Sequence, residues 1–203
     1  TRFSTSLSAE DAAWLQQQDG LVIGVWGDDF APIQFRSDPH TLQGVVADHL
    51  VLLGNALGTP VHARWFVDRD AALAALRQHT VAAVSVFANP GDEGGLQTTD
   101  PYLSVPLAIV RRAGPALSRD GLLEGRGVVQ SAQVDAWSLL QRHPEAMPVS
   151  AASSFFKALE AVSIGRADYY VGDLVSATYA VEQGLFLNLR VARVEDALTT
   201  FQF

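Results

Sequence analysis

Three side chains of this chain stand beside predicted strand ends, where a ligand could be bound. Ser131 follows the predicted strand 127–130 and opens a predicted helix, so its hydroxyl and the neighbouring N–H groups could accept an anion or simply cap the helix. Asp173 stands where another apolar strand ends and a helix begins, and could contact a ligand or act as the N-cap. Phe30 lies in a loop beside Pro32 and could contact a ligand or only pack.

No set of residues has the spacing of a catalytic or metal centre. The adjacent Asp28 and Asp29 could meet a cation, but such a pair usually forms a solvated turn. The glycine-rich segment 91–95 lacks the Gly-Lys-Ser/Thr ending of a phosphate loop, and there is no Gly-x-Ser-x-Gly elbow. The five histidines are dispersed without an HExxH spacing: His40, His49, His62, His79 and His143. We therefore predict no catalytic residue, no metal site and no cofactor.

Composition excludes several classes of partner. The chain has 203 residues and a net charge of −8, with a single lysine, Lys157, so a nucleic-acid partner is not expected. No apolar run approaches the ~20 residues that cross a bilayer, and no transmembrane segment is predicted in this sequence. The absence of cysteine excludes disulfides and thiolate chemistry, but it fits the cytoplasm and a Gram-negative periplasm equally well.

The elements that must position these side chains follow an α/β pattern in both halves of the chain. In the first half, an N-terminal lead-in helix (1–20) precedes strands at 21–25, 61–66 and 81–87, which alternate with helices at 46–57 and 70–78. In the second half, a crossing strand at 106–111 leads to strands at 127–130, 147–149 and 167–171. Helices at 134–142, 153–164 and 174–183 follow these strands, and strand segments at 189–194 and 200–203 end the chain.

This order predicts two lobes, each a small mixed sheet flanked by helices. One discontinuous lobe comprises 21–107 plus 189–203, and the other comprises 108–188. The connections fall near 105–109 and 189–191, where two strands would act as hinges. The predicted core has two groups of helix residues, with Val46, Leu50, Leu53, Leu73 and Leu76 in the first lobe and Leu139, Leu159 and Val162 in the second.

Four segments carry a resemblance to a known family: SAEDAAWL at 8–15, GVWGDDFAPIQF at 24–35, TDPYLSVPLAIVRR at 99–112 and GRADYYVGDL at 165–174. Together with Asp48 in the helix that follows Gly44, they resemble the type II periplasmic solute-binding (venus-flytrap) fold, and within it the sensor domains of BvgS/EvgS-type histidine kinases. The resemblance implies a periplasmic, ligand-sensing domain of an inner-membrane receptor. Such a domain signals through lobe opening or closure, does no chemistry itself and is attached to further receptor domains and a transmembrane segment.

Other functions of the same fold stay open at this point. A free solute-binding protein of an ABC importer would share the cleft, and a few members of the fold are dehydratases. A homodimer of the full receptor is also possible. The sequence beyond 203 would separate a sensor from a transport protein, because only the sensor continues into a transmembrane helix and kinase domains.

The resemblance also proposes ligand positions. Relatives hold a ligand's ammonium group at the position of Asp173 and place an aromatic ring at that of Phe30. The strand and loop around Phe87 and Asn89 meet the ligand as well, so the proposed set is Phe30, Phe87, Asn89, Ser131 and Asp173. In amino-acid-binding relatives an arginine just before the Pro-Tyr turn clamps the ligand's carboxylate. Segment 89–95 here contains no arginine, and its only charged residues are Asp92 and Glu93. Either the ligand is not a standard amino acid, or the domain works without a small molecule. A standard amino acid would need another arginine, such as Arg64 or Arg111, as its clamp.

Overall fold

The computed structural model describes residues 7–39, 41–87, 96–114, 120–143, 146 and 148–203, with only the backbone of Phe87 and Asp120. These residues form two compact units. The first unit contains the chain through Asp29, then Ile33–Ser85 and Phe203. The second unit contains Phe30–Pro32 and Val86–Gln202.

The first unit is built around a three-stranded parallel sheet of order β4-β1-β5. Local signals fix its helices: the side chain of Ser8 caps α1, that of Asp68 caps α3, and Gly58 ends α2 in the left-handed conformation. The elements are α1 Ala9–Gln16, β1 Leu21–Trp26, a hairpin of β2 Phe35–Asp38 and β3 Thr41–Gln43, α2 Val45–Leu57, β4 Val61–Phe66, α3 Arg69–Arg77 and β5 Ala83–Val84.

The helix phases predicted for this unit are largely correct. Val46, Leu50 and Leu73 are buried, whereas Leu53 and Leu76 are only half-buried because they lie at the margins of their apolar faces. The hairpin β2–β3 was missed, since its strands have three or four mostly exposed residues and no apolar alternation.

The second unit is built around a six-stranded mixed sheet of order β6-β11-β7-β10-β8-β9. Strands β8, β9 and β10 run parallel, while β7 is antiparallel to both β10 and β11. The elements are β6 Val86–Phe87, β7 Leu103–Arg112, a 3₁₀ turn at Asp120–Leu123, β8 Gly127–Gln130, α4 Val134–Gln141, β9 Val149–Ala152, α5 Phe155–Ser163, β10 Tyr169–Asp173, α6 Leu174–Glu182 and β11 Leu189–Gln202. Leu139, Leu159 and Val162 are buried as predicted.

Three local predictions for the second unit need correction. The final two strand segments form one strand, β11, with irregular pairing between Val194 and Leu198 instead of a break. The predicted strand 81–87 is divided, with β5 in the first sheet and β6 in the second. Helix α4 begins at Val134 with Gln133 as its N-cap, so Ser131 lies upstream of the helix and does not open it.

The predicted lobe boundaries at 107/108 and 188/189 stay a prediction. They fall within or at the end of the long antiparallel strands β7 and β11, which the compact division assigns whole to the second unit. Hinge positions concern motion, whereas this division reflects packing alone. Among the helices of the described residues, none is both long enough and apolar enough to cross a membrane.

Candidate functional site

The candidate site of the second unit lies at the carboxyl edge of its parallel strands. Strands β8, β9 and β10 end at Gln130, Ala152 and Asp173, and the backbone N–H of Ser131 donates to the carbonyl of Ala152 at 2.9 Å. In sheets of this kind, ligands bind at the carboxyl ends of the strands, where loops and helix N-termini present polar groups. Ser131 and Asp173, two of the residues predicted from the sequence, therefore belong to one sheet edge.

Asp173 is a buried acid that forms no ion pair with the described residues. Its side chain is the N-cap of α6, accepting the backbone N–H of Ser176 at 2.7 Å, so the capping role is confirmed. Only 3% of the residue is exposed, and within the described part of the chain no Lys or Arg forms an ion pair with it. Burial raises the pKa of Asp173, and hydrogen bonds from Ser176 and from the backbone of Val175 only partly oppose this.

Tyr170 is a member of this edge that the sequence argument missed. Its hydroxyl donates to Oε1 of Gln133 at 3.1 Å, and the side chain is fully buried. Burial raises the pKa of Tyr170, with the charge of Asp173 as a second cause. A Cβ on Gly172 would overlap the phenol ring of Tyr170, so only glycine fits there. The sequence signal that could have pointed to Tyr170 is Gly172, which lies two positions further along the same face of the buried strand.

Ser131 is exposed at the same edge. Its hydroxyl forms no hydrogen bond within the described part of the chain, and the N-cap position of α4 belongs to Gln133, which makes no side-chain cap bond. Ser131 therefore does not cap α4, and ligand contact by its hydroxyl stays a prediction.

The aromatic and amide candidates have different outcomes. Phe30 is 7% exposed and stacks on Phe201, with ring centroids 6.4 Å apart, so its packing role is confirmed. Phe87 pairs with Phe201 through the backbone. Asn89 lies outside the described residues, together with the acids of segment 91–95. Ligand contact by Phe30, Phe87 and Asn89 therefore stays a prediction.

Arg111 has a structural role. One guanidinium nitrogen, Nη1, donates to the carbonyls of Leu122 at 2.6 Å and Glu124 at 3.1 Å, and the group lies over the ring of Tyr169. Desolvation lowers the pKa of Arg111, although Asp168 opposes the shift. Arg111 thus stabilises the turn after β7 and is not arranged as a carboxylate clamp.

Asp29, one of the two acids after β1, has a structural role. Asp29 accepts the backbone N–H of Arg36 at 2.9 Å and two guanidinium hydrogen bonds at 3.0 and 3.1 Å. The described residues contain no group of three or more His, Asp or Glu side chains placed to hold a metal ion.

Solved structures define the class of this fold. The chain superposes on the BvgS periplasmic VFT2 domain of Bordetella pertussis with a TM-score of 0.84 and 25% identity, covering 97% of this chain and 86% of that one. An arginine-bound ArgBP from T. maritima matches with a TM-score of 0.71 and 17% identity, over 94% of this chain and 90% of that one. The fold is that of a venus-flytrap periplasmic binding domain, and the predicted fold class is confirmed.

Sequence comparison identifies the relatives. The chain is 28% identical over 203 residues to the virulence sensor protein BvgS of Bordetella bronchiseptica, covering 96% of this chain and 16% of the relative. It is 23% identical over 200 residues to the sensor protein EvgS of Escherichia coli O157:H7, covering 97% of this chain and 17% of the relative. No protein-family profile matches the chain. The chain is homologous to a venus-flytrap domain of the BvgS and EvgS sensors, as its sequence motifs indicated, and it spans about a sixth of their length.

Proposed function

We propose that the chain is the ligand-sensing domain of a larger sensor kinase, on the periplasmic side of the inner membrane. The observation that carries the proposal is that nearly the whole chain matches one part of these sensors. At least 96% of the chain aligns with BvgS of Bordetella bronchiseptica and with EvgS, and 97% superposes on a periplasmic domain of BvgS. A domain of this kind binds and changes conformation without doing chemistry itself. Its output is a bias on the domains that follow it.

Asp173 is the proposed recognition centre. A buried carboxylate without a cation is in an unfavourable state, as its raised pKa reflects. A ligand that brings a cationic or neutral donor group to Asp173 would remove that penalty, and the hydroxyl of Ser131 would supply a second polar contact. The packing of Phe30 against Phe201 would hold one aromatic wall in place. Phe87, whose backbone pairs with Phe201, and Asn89 complete the proposed set.

Hinge bending in the two long strands is the proposed transmission. Strands β7 and β11 pair from Leu103 with Phe201 to Arg112 with Leu189, and their register shifts between Val191 and Arg193 and again before Leu198. Irregular pairing leaves local backbone groups outside the regular ladder, so bending at these points disrupts the fewest hydrogen bonds between the strands.

The proposed ligand lacks a carboxylate that needs an arginine clamp. The clamp segment of the sequence contains no arginine, and Arg111 is committed to backbone carbonyls. Arginine and agmatine, its decarboxylated counterpart, form a matched pair for calorimetry because they differ only in the carboxylate. We expect agmatine to bind more tightly than arginine, and the same order for other amino acids and their amines. Tighter binding by the amino acids that Asp173→Ala also weakens would contradict this ligand class.

A chimera tests the sensing role. The chain would replace the matching domain of BvgS in a strain that reports kinase output, as the wild type, as Asp173→Ala and as Arg77→Gln. Arg77 is an exposed residue of α3 and serves as the charge-changing control. We expect Asp173→Ala to shift the output by about fivefold or more and Arg77→Gln to leave it unchanged. Equal output from all three chimeras, at equal protein levels, would contradict the proposal.

A further inference from the structure

A pocket lies on the first unit, beside strand β4 at the edge of its sheet. It has a volume of about 240 Å³ and is formed by the hairpin β2–β3 and strand β4. Of the positions predicted above, it contains Arg64, one of the alternative clamps, but neither Ser131 nor Asp173. Its lining residues are Arg36, Pro39, Leu42, Ala63, Arg64 and Trp65.

Arg36 is held rigidly in this pocket. Its guanidinium lies 4.1 Å from the ring centroid of Trp65, and its Nε and Nη2 donate to the two carboxylate oxygens of Asp29. The indole N–H of Trp65 donates in turn to the carbonyl of Gly27 at 3.0 Å, which fixes the ring. Nη1 of Arg36 forms no hydrogen bond within the described part of the chain, so its N–H groups remain for a ligand.

Arg64 supplies a full uncompensated charge. It lies 5.2 Å from the ring centroid of Phe66 and forms no ion pair or hydrogen bond with the described residues. A cation–π contact orients a guanidinium without neutralising it. The chain has 22 acids and only 14 basic residues, so an oriented arginine without a carboxylate stands out. The charged residues that line the pocket are both arginines, and Arg36 is paired with Asp29.

We propose that this pocket is a peripheral binding site for a small oxyanion, the carboxylate or phosphate group of a small molecule. Guanidinium N–H groups match the planar or tetrahedral oxygens of such groups and bind them more strongly than neutral donors do. Leu42, Pro39 and Ala63 form an apolar wall that would take a short alkyl substituent. The site is independent of the ligand site at the edge of the second sheet.

The test uses the whole 203-residue chain in chloride-free buffer, titrated by calorimetry with inorganic phosphate in one arm and propionate in the other. Two variants address the pocket. Arg64→Gln removes the free charge, and Ala63→Glu places a carboxylate in the pocket while keeping both arginines. Ala63 is exposed on the edge strand, so this second variant retains the core if Arg64→Gln fails to fold. Arg77→Gln on α3 is the matched control.

We expect saturable binding of at least one anion at or below about 1 mM, weakened about tenfold or more by both pocket variants and unchanged in Arg77→Gln. The stronger arm identifies the oxyanion as phosphate or carboxylate. No saturable binding in either arm, or equal loss in Arg64→Gln and Arg77→Gln, would overturn the proposal. Either result leaves the sensing role untouched, because that role is tested by the chimera.

Discussion

The two ends of strand β10 each have an acid, and the protein treats the two acids in opposite ways. At the amino end, Asp168 forms ion pairs with Arg112 at 3.1 Å and Arg126 at 3.2 Å, and also accepts the backbone N–H of Arg126. At the carboxyl end, Asp173 is buried and accepts the backbone N–H of Ser176, and no Lys or Arg of the described ranges pairs with it. Hydrogen bonds from Arg126 and Arg112 lower the pKa of Asp168 to about 2, whereas burial raises that of Asp173.

This difference separates a stabilising site from a candidate binding site. Arg112 also donates to the carbonyls of Val162 and Ala167, so the amino end ties the end of α5 to the sheet. The carboxyl end keeps a charge whose burial is unfavourable for folding. Unfavourable, specifically placed ionisable groups are concentrated at functional sites, which is the physical reason for placing recognition at Asp173.

The largest effect is expected from Gly172→Ala. The new Cβ would overlap the fully buried ring of Tyr170, so the strand or the ring must move, at a cost of about 3 kcal/mol in the free energy of unfolding. Gly114→Ala is the control, because its Cβ would meet no atom closer than 4.0 Å. Chemical denaturation measures both, and similar small losses would mean that the carboxyl end is not tightly packed.

Asp168→Asn should cost about 1 to 2 kcal/mol at pH 7, because it removes a partly exposed charge held by two arginines. The folded-state pKa is lowered from 3.8 to about 2, so the stabilisation is present above pH 3.8 and is lost as the pH falls towards 2. The difference between wild type and variant should therefore shrink as the pH falls from 3.8 towards 2. A difference independent of pH would show that the ion pairs are not its source.

Tyr170→Phe should cost about 1 kcal/mol, since it removes the hydrogen bond to Gln133 from a buried site. The double variant with Gln133→Leu tests the pairing. If the bond carries the loss, Gln133→Leu should cost less in the Tyr170→Phe background than in the wild type. Additive losses would mean that the two side chains act separately.

The smallest change in stability, and one of opposite sign, is expected from Asp173→Asn. Asparagine keeps the capping oxygen and removes the buried charge, so the variant should be as stable as the wild type or slightly more stable at pH 7. Its advantage should vanish as the pH falls through the raised pKa towards 3.8, because the wild-type carboxyl then becomes neutral. Denaturation at pH 7 and pH 4 checks this, and a loss of stability at pH 7 would contradict the contrast between the two ends.

Ligand affinity should respond differently at this position. For a cationic or neutral ligand, Asp173→Ala should weaken binding by roughly 1 to 3 kcal/mol through loss of a charged hydrogen bond. An unchanged affinity would leave Asp173 as a helix cap only.

Much of the fold was predictable because its signals are local. Strand β4 was predicted with its exact bounds, and the caps Ser8 and Asp173 accept hydrogen bonds from residues three positions on. The candidate site was predictable only in part. Asp173 and Ser131 were identified because they follow apolar strands, whereas Tyr170 reads as an ordinary core residue until its hydroxyl is seen to reach Gln133, 37 positions away.

The sequence by itself determined the α/β pattern and most helix starts and stops, because these depend on periodicity and on hydrogen bonds spanning three or four residues. Only the tertiary structure decided that strand 81–87 divides between two sheets, that Phe30 packs on Phe201, and that Arg36 and Arg64 share a pocket. Each of these depends on which distant segment lies alongside. The pattern of one segment does not encode that choice, because many different segments could bury the same apolar face.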